Sequence, residues 1–127
     1  MTATLPGDSF PKRGFVYWAG LAKRRPVIVL SVNAINRHAL DVCVVPLTSV
    51  ARKQFRLRVP MQPPEGGLRS SSWAKCDQVT TIEKALLLHP PLGVLSAATM
   101  RTIETAVGMC LGLLDRSEQT TGELPRT

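Results

Sequence analysis

The architecture of this chain follows from two runs, Arg24-Arg25-Pro26-Val27-Ile28-Val29-Leu30-Ser31 and Asp41-Val42-Cys43-Val44-Val45-Pro46-Leu47-Thr48-Ser49. Each contains consecutive apolar, β-branched residues, which is typical of a buried strand. Pro46 cannot donate to a sheet ladder and therefore marks the edge or end of its strand. If the two strands pair antiparallel, Arg25 at the start of one meets Thr48 at the end of the other. The sequence thus predicts a guanidinium and a hydroxyl on one rim of a β-structure, where functional side chains are commonly mounted.

Length and composition predict one globular domain without a disulfide framework. The 127 residues, of which 44% are hydrophobic, are enough to bury a core. Cys43, Cys76 and Cys110 are widely spaced and odd in number, which indicates reduced thiols rather than a zinc cluster. The N-terminal residues show no apolar signal segment, and the apolar run 106–114 is too short to span a membrane. We therefore expect a cytoplasmic protein with no membrane association, no metal and no cofactor.

The positive charge is confined to one half of the sequence. Residues 1–60 hold ten Lys/Arg against two Asp, a balance of +8, whereas residues 61–127 have a balance of −1. The basic half is the one that contains Arg25 and Thr48. A one-sided positive field favours a polyanionic partner such as nucleic acid over a merely solubilising surface.

Five short motifs occur in order along the chain and carry a resemblance to a known family. They are Arg25-Pro26-Val27-Ile28-Val29-Leu30-Ser31, Asn36-Arg37, Val45-Pro46-Leu47-Thr48-Ser49, Gly66-Gly67-Leu68 and Cys76-Asp77-Gln78. Over residues 12–114 this order resembles the MazF/PemK family of toxin endoribonucleases. The resemblance implies a mainly β fold, an SH3-like small β-barrel with a C-terminal helix. It also implies a homodimer, metal-independent cleavage of single-stranded RNA, and inhibition by a short MazE-like antitoxin that wraps the dimer.

The chain is expected to divide into a flexible arm (1–11), one barrel domain (12–115) and a disordered tail (116–127). Strands are predicted at 13–19, 26–32, 41–47, 52–59 and 73–79, with a polar turn region at 33–40 and a chain break around Pro90, Pro91 and Gly93. Ser96 is a plausible N-cap for an amphipathic helix whose apolar stripe includes Met100, Ile103 and Val107. Gly108 and Gly112 are expected on one helical stripe, where a second copy could approach closely.

The resemblance assigns catalysis to Arg25 and Thr48. Cleavage without a metal requires that negative charge on the phosphorane be stabilised, and a planar arginine fork suits phosphate oxygens. Thr48 would add a hydroxyl to the same oxygens. Asp77 is also predicted to be catalytic, and a structural carboxylate that orients an arginine is the equally weighted alternative. The residues predicted to bind RNA are Arg24, Ser49, Lys53, Arg56, Arg58, Lys75 and Gln78.

Three further interpretations remain open at the sequence level. Trp18, Tyr17 and Trp73 could stack an unpaired base, although strand aromatics more often pack in a core. The same barrel also occurs as a gyrase-binding poison of the CcdB type, which uses a C-terminal aromatic-glycine-isoleucine end where this chain has a polar tail. A nucleic-acid-binding barrel without activity is the remaining alternative.

Overall fold

A computed structural model describes residues 9–50 and 57–114 of the chain. Within these residues the protein is mainly β with a C-terminal helix, which confirms the predicted fold class. The strands are β1 (Phe15–Ala19), β2 (Arg25–Val29), β3 (Asp41–Thr48), β4 (Arg58–Met61), β5 (Ser72–Lys75), β6 (Thr80–Glu83) and β7 (Leu87–Val94); the helices are α1 (Asn33–His38) and α2 (Ala97–Cys110). Short 3₁₀ turns lie at Glu65–Gly67, Cys76–Gln78 and Lys84–Leu86.

The strands form one antiparallel sheet organised around β3. Its order is β4-β5-β3-β2-β1-β7, and β6 also pairs with β3. β3 is long enough to pair with β2 along one side and with β6 and then β5 along the other. The described strands do not close by pairing, but the curled arrangement of short antiparallel strands fits the predicted small barrel.

Side chains from both faces of the central strands are buried. Val27, Ile28 and Val29 are all fully buried, as the uninterrupted apolar run predicts for a strand covered on both sides. Ile28 belongs to a core beneath α2, whereas Val27 and Val29 belong to a second core that includes Tyr17. The first core also holds Val45, Leu47, Val59, Ala74, Ile103 and Val107.

Helix α2 begins where the sequence predicts. The Ser96 hydroxyl accepts a hydrogen bond from the Thr99 N–H at 3.2 Å, which satisfies one of the unpaired N–H groups of the first turn. Ile103 and Val107 are buried against the sheet, as their spacing predicts. An ion pair between Arg13 and Glu104 ties the exposed side of the helix to the start of β1.

The prediction that Gly108 and Gly112 share a helical stripe is wrong. The helix ends at Cys110, and Gly112 adopts a φ of +73° just beyond it, which is the left-handed conformation that commonly terminates helices. A Cβ at Gly108 would lie 2.9 Å from Cγ of Leu114, so a side chain of the same chain occupies this position. These glycines therefore carry no argument for a dimer contact.

Two segments predicted as loop or break are regular structure instead. The polar region 33–40 contains α1, because the buried Asn36 amide donates to Ser31 O at 2.8 Å and its Oδ1 accepts from the Ser31 hydroxyl. Pro90 and Pro91 lie inside β7, where the β1–β7 register shifts between Val16 and Trp18. A proline has no backbone N–H to donate. At this shift in register the residues of β7 do not pair with β1, so no N–H donor is needed there.

The predicted strands at 73–79 and 52–59 also need correction. The predicted strand 73–79 is divided into β5 and the segment that leads into β6. β5 pairs with the end of β3 and β6 pairs with its start, so the chain has to move along β3 between the two strands. The 3₁₀ turn at Cys76–Gln78 makes this connection. The second appears as β4, which includes Met61; residues 51–56 lie outside the described part of the chain. The predicted arm (except residues 9–11) and the predicted tail also lie outside it, and no helix of the described part is long and apolar enough to cross a membrane.

Candidate active site

The ladder between β2 and β3 brings Arg25 and Thr48 together. Val27 pairs with Pro46 in this antiparallel ladder. Continuing the same register by two residues places Arg25 opposite Thr48, as the sequence predicts. Thr48 in turn pairs with Trp73 on β5, so this row extends across three strands.

A cavity of about 830 Å³ opens at this end of the sheet, and both residues line it. Its wall is strongly basic, because six of the side chains that line it are cations and none of the described residues that line it is a carboxylate. An anion entering this basic groove would meet concentrated positive potential, because a cleft focuses the field of its charges. The cations of the groove are Lys23, Arg24, Arg25, Arg58, Arg69 and Lys75.

The Thr48 hydroxyl is oriented by the backbone that follows it. Its Oγ1 accepts a hydrogen bond from the Val50 N–H at 3.1 Å. A hydroxyl has one hydrogen and can accept through its lone pairs. Because the amide of Val50 occupies a lone pair, the hydrogen remains suited to donation toward an anion held by Arg25.

A second group of charges lies on β4 and the turn after β5. Arg58 is the register partner of Lys75, and both line the basic groove. Arg58 Nε lies 3.3 Å from Oδ1 of Asp77, and these side chains are only 10% and 22% exposed. Asp77 itself does not line the groove. Asp77, which the sequence predicts to be catalytic, therefore contacts Arg58 of the groove.

Of the aromatic residues, Trp18 faces the groove. It lines the cavity, and the Arg24 guanidinium lies 4.9 Å from its ring centroid, which is cation–π geometry. Tyr17 is buried in the second core, where burial raises the pKa of its phenol. Trp73 is partly buried and does not line the cavity.

Most of the predicted site residues meet in this groove. Those that line it are Arg24, Arg25, Thr48, Ser49, Arg58, Lys75 and Gln78. Lys53 and Arg56 lie outside the described residues. Sequence reasoning missed Lys23, Arg69, Ser70 and Ser72, which also line the groove. Arg69 follows the Gly66-Gly67-Leu68 motif directly, so that motif was the available signal.

A close crossing of two backbones delivers Arg69 to the groove. A Cβ at Gly67 would lie 2.0 Å from the carbonyl oxygen of Leu92, and one at Gly93 would lie 2.7 Å from backbone atoms of Gly66. Glycine is therefore required here, because β7 and the 65–67 turn touch through their main chains.

Two further titratable groups outside the groove have shifted pKa values. Burial raises the pKa of the Cys76 thiol to about 12, with smaller contributions from Cys110 and Asp77, so this thiol is protonated at neutral pH. Burial lowers the pKa of His89, which lies on β7 against Tyr17. In the described part of the chain, no three His, Cys, Asp or Glu side chains form a group that could hold a metal ion.

Comparison with known proteins identifies the family. Residues 12–111 match the family model of the PemK-like, MazF-like toxins of type II toxin–antitoxin systems. The chain belongs to this family. It is 36% identical over 104 residues to endoribonuclease MazF4 of Mycobacterium tuberculosis, an alignment that covers 81% of this chain and 94% of the relative.

Solved structures of family members have the same fold. One, described as an endoribonuclease in complex with its cognate antitoxin from a mycobacterial species, superposes with a TM-score of 0.69 at 35% identity, over 82% of this chain and 95% of that one. The Mycobacterium tuberculosis toxin MazF-mt6 superposes with a TM-score of 0.70 at 29% identity, over 78% and 97%. Neither the family model nor these relatives favours the gyrase-binding alternative.

Proposed function

We propose that this MazF-like protein is an endoribonuclease toxin that cleaves single-stranded RNA without a metal. The observation that carries the proposal is that Arg25 and Thr48, at the adjoining ends of paired strands, line one groove together with five further basic side chains. Single-stranded RNA presents the evenly spaced phosphates that such a surface binds. Relatives of similar length are named endoribonucleases, which supports the same activity here.

The chemistry would be attack of the ribose 2′-oxygen on the adjacent phosphorus. The 2′-hydroxyl gives up its proton as the new bond closes a 2′,3′-cyclic phosphate. The bond from phosphorus to the 5′-oxygen breaks, and that oxygen takes up one proton to become a 5′-hydroxyl, so the step balances. Arg25 would hold two non-bridging oxygens with its fork and offset the charge that grows on them. Thr48 would donate to the same oxygens. This arrangement supplies mainly electrostatic stabilisation and alignment, which are large terms in phosphoryl chemistry.

We expect the purified protein to cut a mixed single-stranded RNA at a short sequence and to remain active in excess EDTA. The positive charge that a metal would supply is already provided by the groove's arginines and lysines. The measurement is fragment mapping on a sequencing gel, with end-group analysis for a 2′,3′-cyclic phosphate and a 5′-hydroxyl.

Two comparisons make that experiment decisive. A DNA oligonucleotide of the same sequence lacks the 2′-hydroxyl and should bind without being cut. Loss of activity in EDTA that added magnesium restores would refute the metal-free mechanism. Binding of RNA without any cleavage would favour the inactive nucleic-acid-binding barrel instead.

The same proposal includes partners and location. We infer a homodimer, in which two basic grooves could combine into one longer RNA path. We infer a cytoplasmic protein, since its substrate is there, and a cognate MazE-like antitoxin. A family member has been solved with its antitoxin bound, which supports this partner.

An acidic, disordered antitoxin segment should bind the basic groove and block cleavage. Such a segment would lay carboxylates against Arg25 and against the basic residues of 52–58, of which only Arg58 lies in the described part of the chain. Affinity should fall as salt rises, because screened charge pairs supply part of it. Calorimetry at two salt concentrations measures this, alongside rescue of growth on co-expression. A partner that binds equally well in high salt would contradict the electrostatic part of the proposal.

A further inference from the structure

The basic groove also has an apolar floor. The apolar side chains that line it are Trp18, Pro26, Leu47, Leu68 and Leu92. Leu47 and Leu68 are buried members of the core beneath α2, whereas the Arg24 cation is exposed. A single-stranded nucleic acid has the matching polarity, because its backbone is charged and the faces of its bases are apolar. The groove therefore suits a strand whose phosphates meet the cations while a base turns toward the floor.

Trp18 is the aromatic side chain of this floor, and its strand holds it in place. It lies in β1, opposite Pro26 of β2 on one side and opposite Leu88 of β7 on the other. Its neighbours Tyr17 and Ala19 are buried in the second core, so strand alternation turns Trp18 to the opposite face. Because the backbone is paired on both sides, the ring is positioned before a ligand binds, which lowers the ordering cost of stacking.

Arg24 lies over the Trp18 ring. Its guanidinium is 4.9 Å from the ring centroid. Arg24 is exposed and Trp18 is partly buried, so the guanidinium forms the outer layer of the pair. A guanidinium is planar and can stack on a nucleic-acid base as well as on an aromatic ring. The two side chains together thus offer a flat surface to a base, and the N–H groups of Arg24 keep their positive charge at its edge.

The register places this pair beside the proposed catalytic arginine. Trp18 is opposite Pro26, and the next residue of β1, Ala19, is opposite Arg25. Neighbouring strands lie about 4.8 Å apart and successive residues about 3.3 Å apart, so the α-carbons of Trp18 and Arg25 are separated by roughly 6 Å. A base stacked on this pair therefore belongs to a nucleotide next to the phosphate that Arg25 would hold.

We propose that Trp18 and Arg24 form a stacking platform for one unpaired base of the RNA, beside the scissile phosphate. This inference rests on the proposed function, which supplies the RNA and the role of Arg25. It selects Trp18 from the three aromatic residues that the sequence leaves open, since Tyr17 and Trp73 do not line the groove. It also gives Arg24 a planar contact with a base in addition to its charge.

A pair of uncleavable probes tests the platform. One is a single-stranded oligo-deoxythymidine of about eight residues, within the usual site size of such grooves, and the other is an equally long chain of abasic sites with the same phosphates. Trp18→Ala should weaken binding of the first probe roughly 5- to 150-fold, the usual effect of losing one base–aromatic stack. It should leave binding of the abasic chain nearly unchanged. Trp18→Phe keeps an aromatic face and should retain most of the affinity.

A second variant tests the part of Arg24. Arg24→Lys keeps the charge but not the plane, so it should weaken oligo-deoxythymidine binding by a smaller factor than Trp18→Ala. The slope of log affinity against log salt should stay the same on both probes, because the number of cations is unchanged. Arg101→Ala, on the exposed side of α2, and Trp73→Phe are matched controls outside the groove.

Tryptophan fluorescence reports the contact directly. The chain has two tryptophans, so Trp73→Phe leaves Trp18 as the single emitter. Its emission should change when oligo-deoxythymidine binds and stay constant when the abasic chain binds, since only the first probe brings a base to the ring. Thermal melts of each variant show whether it folds. If Trp18→Ala is unstable, Trp18→Leu, which keeps apolar bulk but has no aromatic face, takes its place.

The outcomes separate this inference from the proposed function. Equal affinity of the wild type for the two probes, or equal losses of Trp18→Ala on both, would overturn the platform even if the protein cuts RNA. Wild-type binding of both probes by Arg24→Lys would refute the stacking role of Arg24. Base-dependent binding through Trp18 in a protein that cuts no RNA would refute the ribonuclease proposal and support the platform.

Discussion

Arg25→Ala should reduce RNA cleavage by roughly 100- to 1,000-fold, the typical cost of losing one group that stabilises developing charge in a transition state. Arg25 starts β2, opposite Thr48, and its side chain lines the basic groove. It is partly exposed there, so its removal leaves no cavity in either core. The loss should appear in kcat under single-turnover conditions, because the interaction strengthens as the phosphorane forms.

Two further variants serve as controls for Arg25→Ala. Arg25→Lys retains the charge but not the planar fork, and should lie between wild type and Arg25→Ala. Arg101→Ala removes the same charge from the exposed side of α2 and should leave the rate unchanged. Cleavage by Arg25→Ala within about threefold of wild type would remove Arg25 from the catalytic centre, since one missing donor of this kind costs far more.

Gly67→Ala should destabilise the fold severely. Gly67 has a φ of +76°, and a Cβ there would lie 2.0 Å from the Leu92 carbonyl oxygen. That oxygen belongs to the backbone of β7, so no flexible side chain can move aside. Strain at a left-handed position and forced overlap each cost about 1–3 kcal/mol, against a typical total stability of about 5–15 kcal/mol. We expect a Tm lower by roughly 10 °C or more, measured by circular dichroism.

Gly112→Ala is the matched control for Gly67→Ala. Gly112 also has a positive φ, +73°, but a Cβ there would have no atom within 4 Å. Its substitution should therefore show the conformational cost alone, about 1 kcal/mol. Equal losses in the two variants would mean that the contact with Leu92 contributes little. A larger loss at Gly67 would assign the difference to the crossing that brings Arg69 to the groove.

Features that depend on local pattern were predictable from the sequence. The apolar runs predict that β2 and β3 are buried strands. The condition set on that prediction, antiparallel pairing, holds in the structure, and the register then brings Arg25 to Thr48. The Ser96 cap and the apolar stripe of α2 likewise depend on residues that are close together in the sequence. A strand's period and a cap's hydrogen bond act over a few positions, so a reader of the sequence can recognise them.

Features that depend on contact between distant segments were decided by the tertiary structure. Arg69 reaches the groove because the 65–67 turn crosses β7; the glycines just before Arg69 indicate a turn, but they do not indicate which strand that turn crosses. Asp77 meets Arg58 because the turn at Cys76–Gln78 replaces the expected strand and redirects its side chain. Pro90 is tolerated because β1 and β7 change register beside it. Each of these three positions depends on which segments of backbone come into contact in the folded chain. The residue types alone do not specify those contacts.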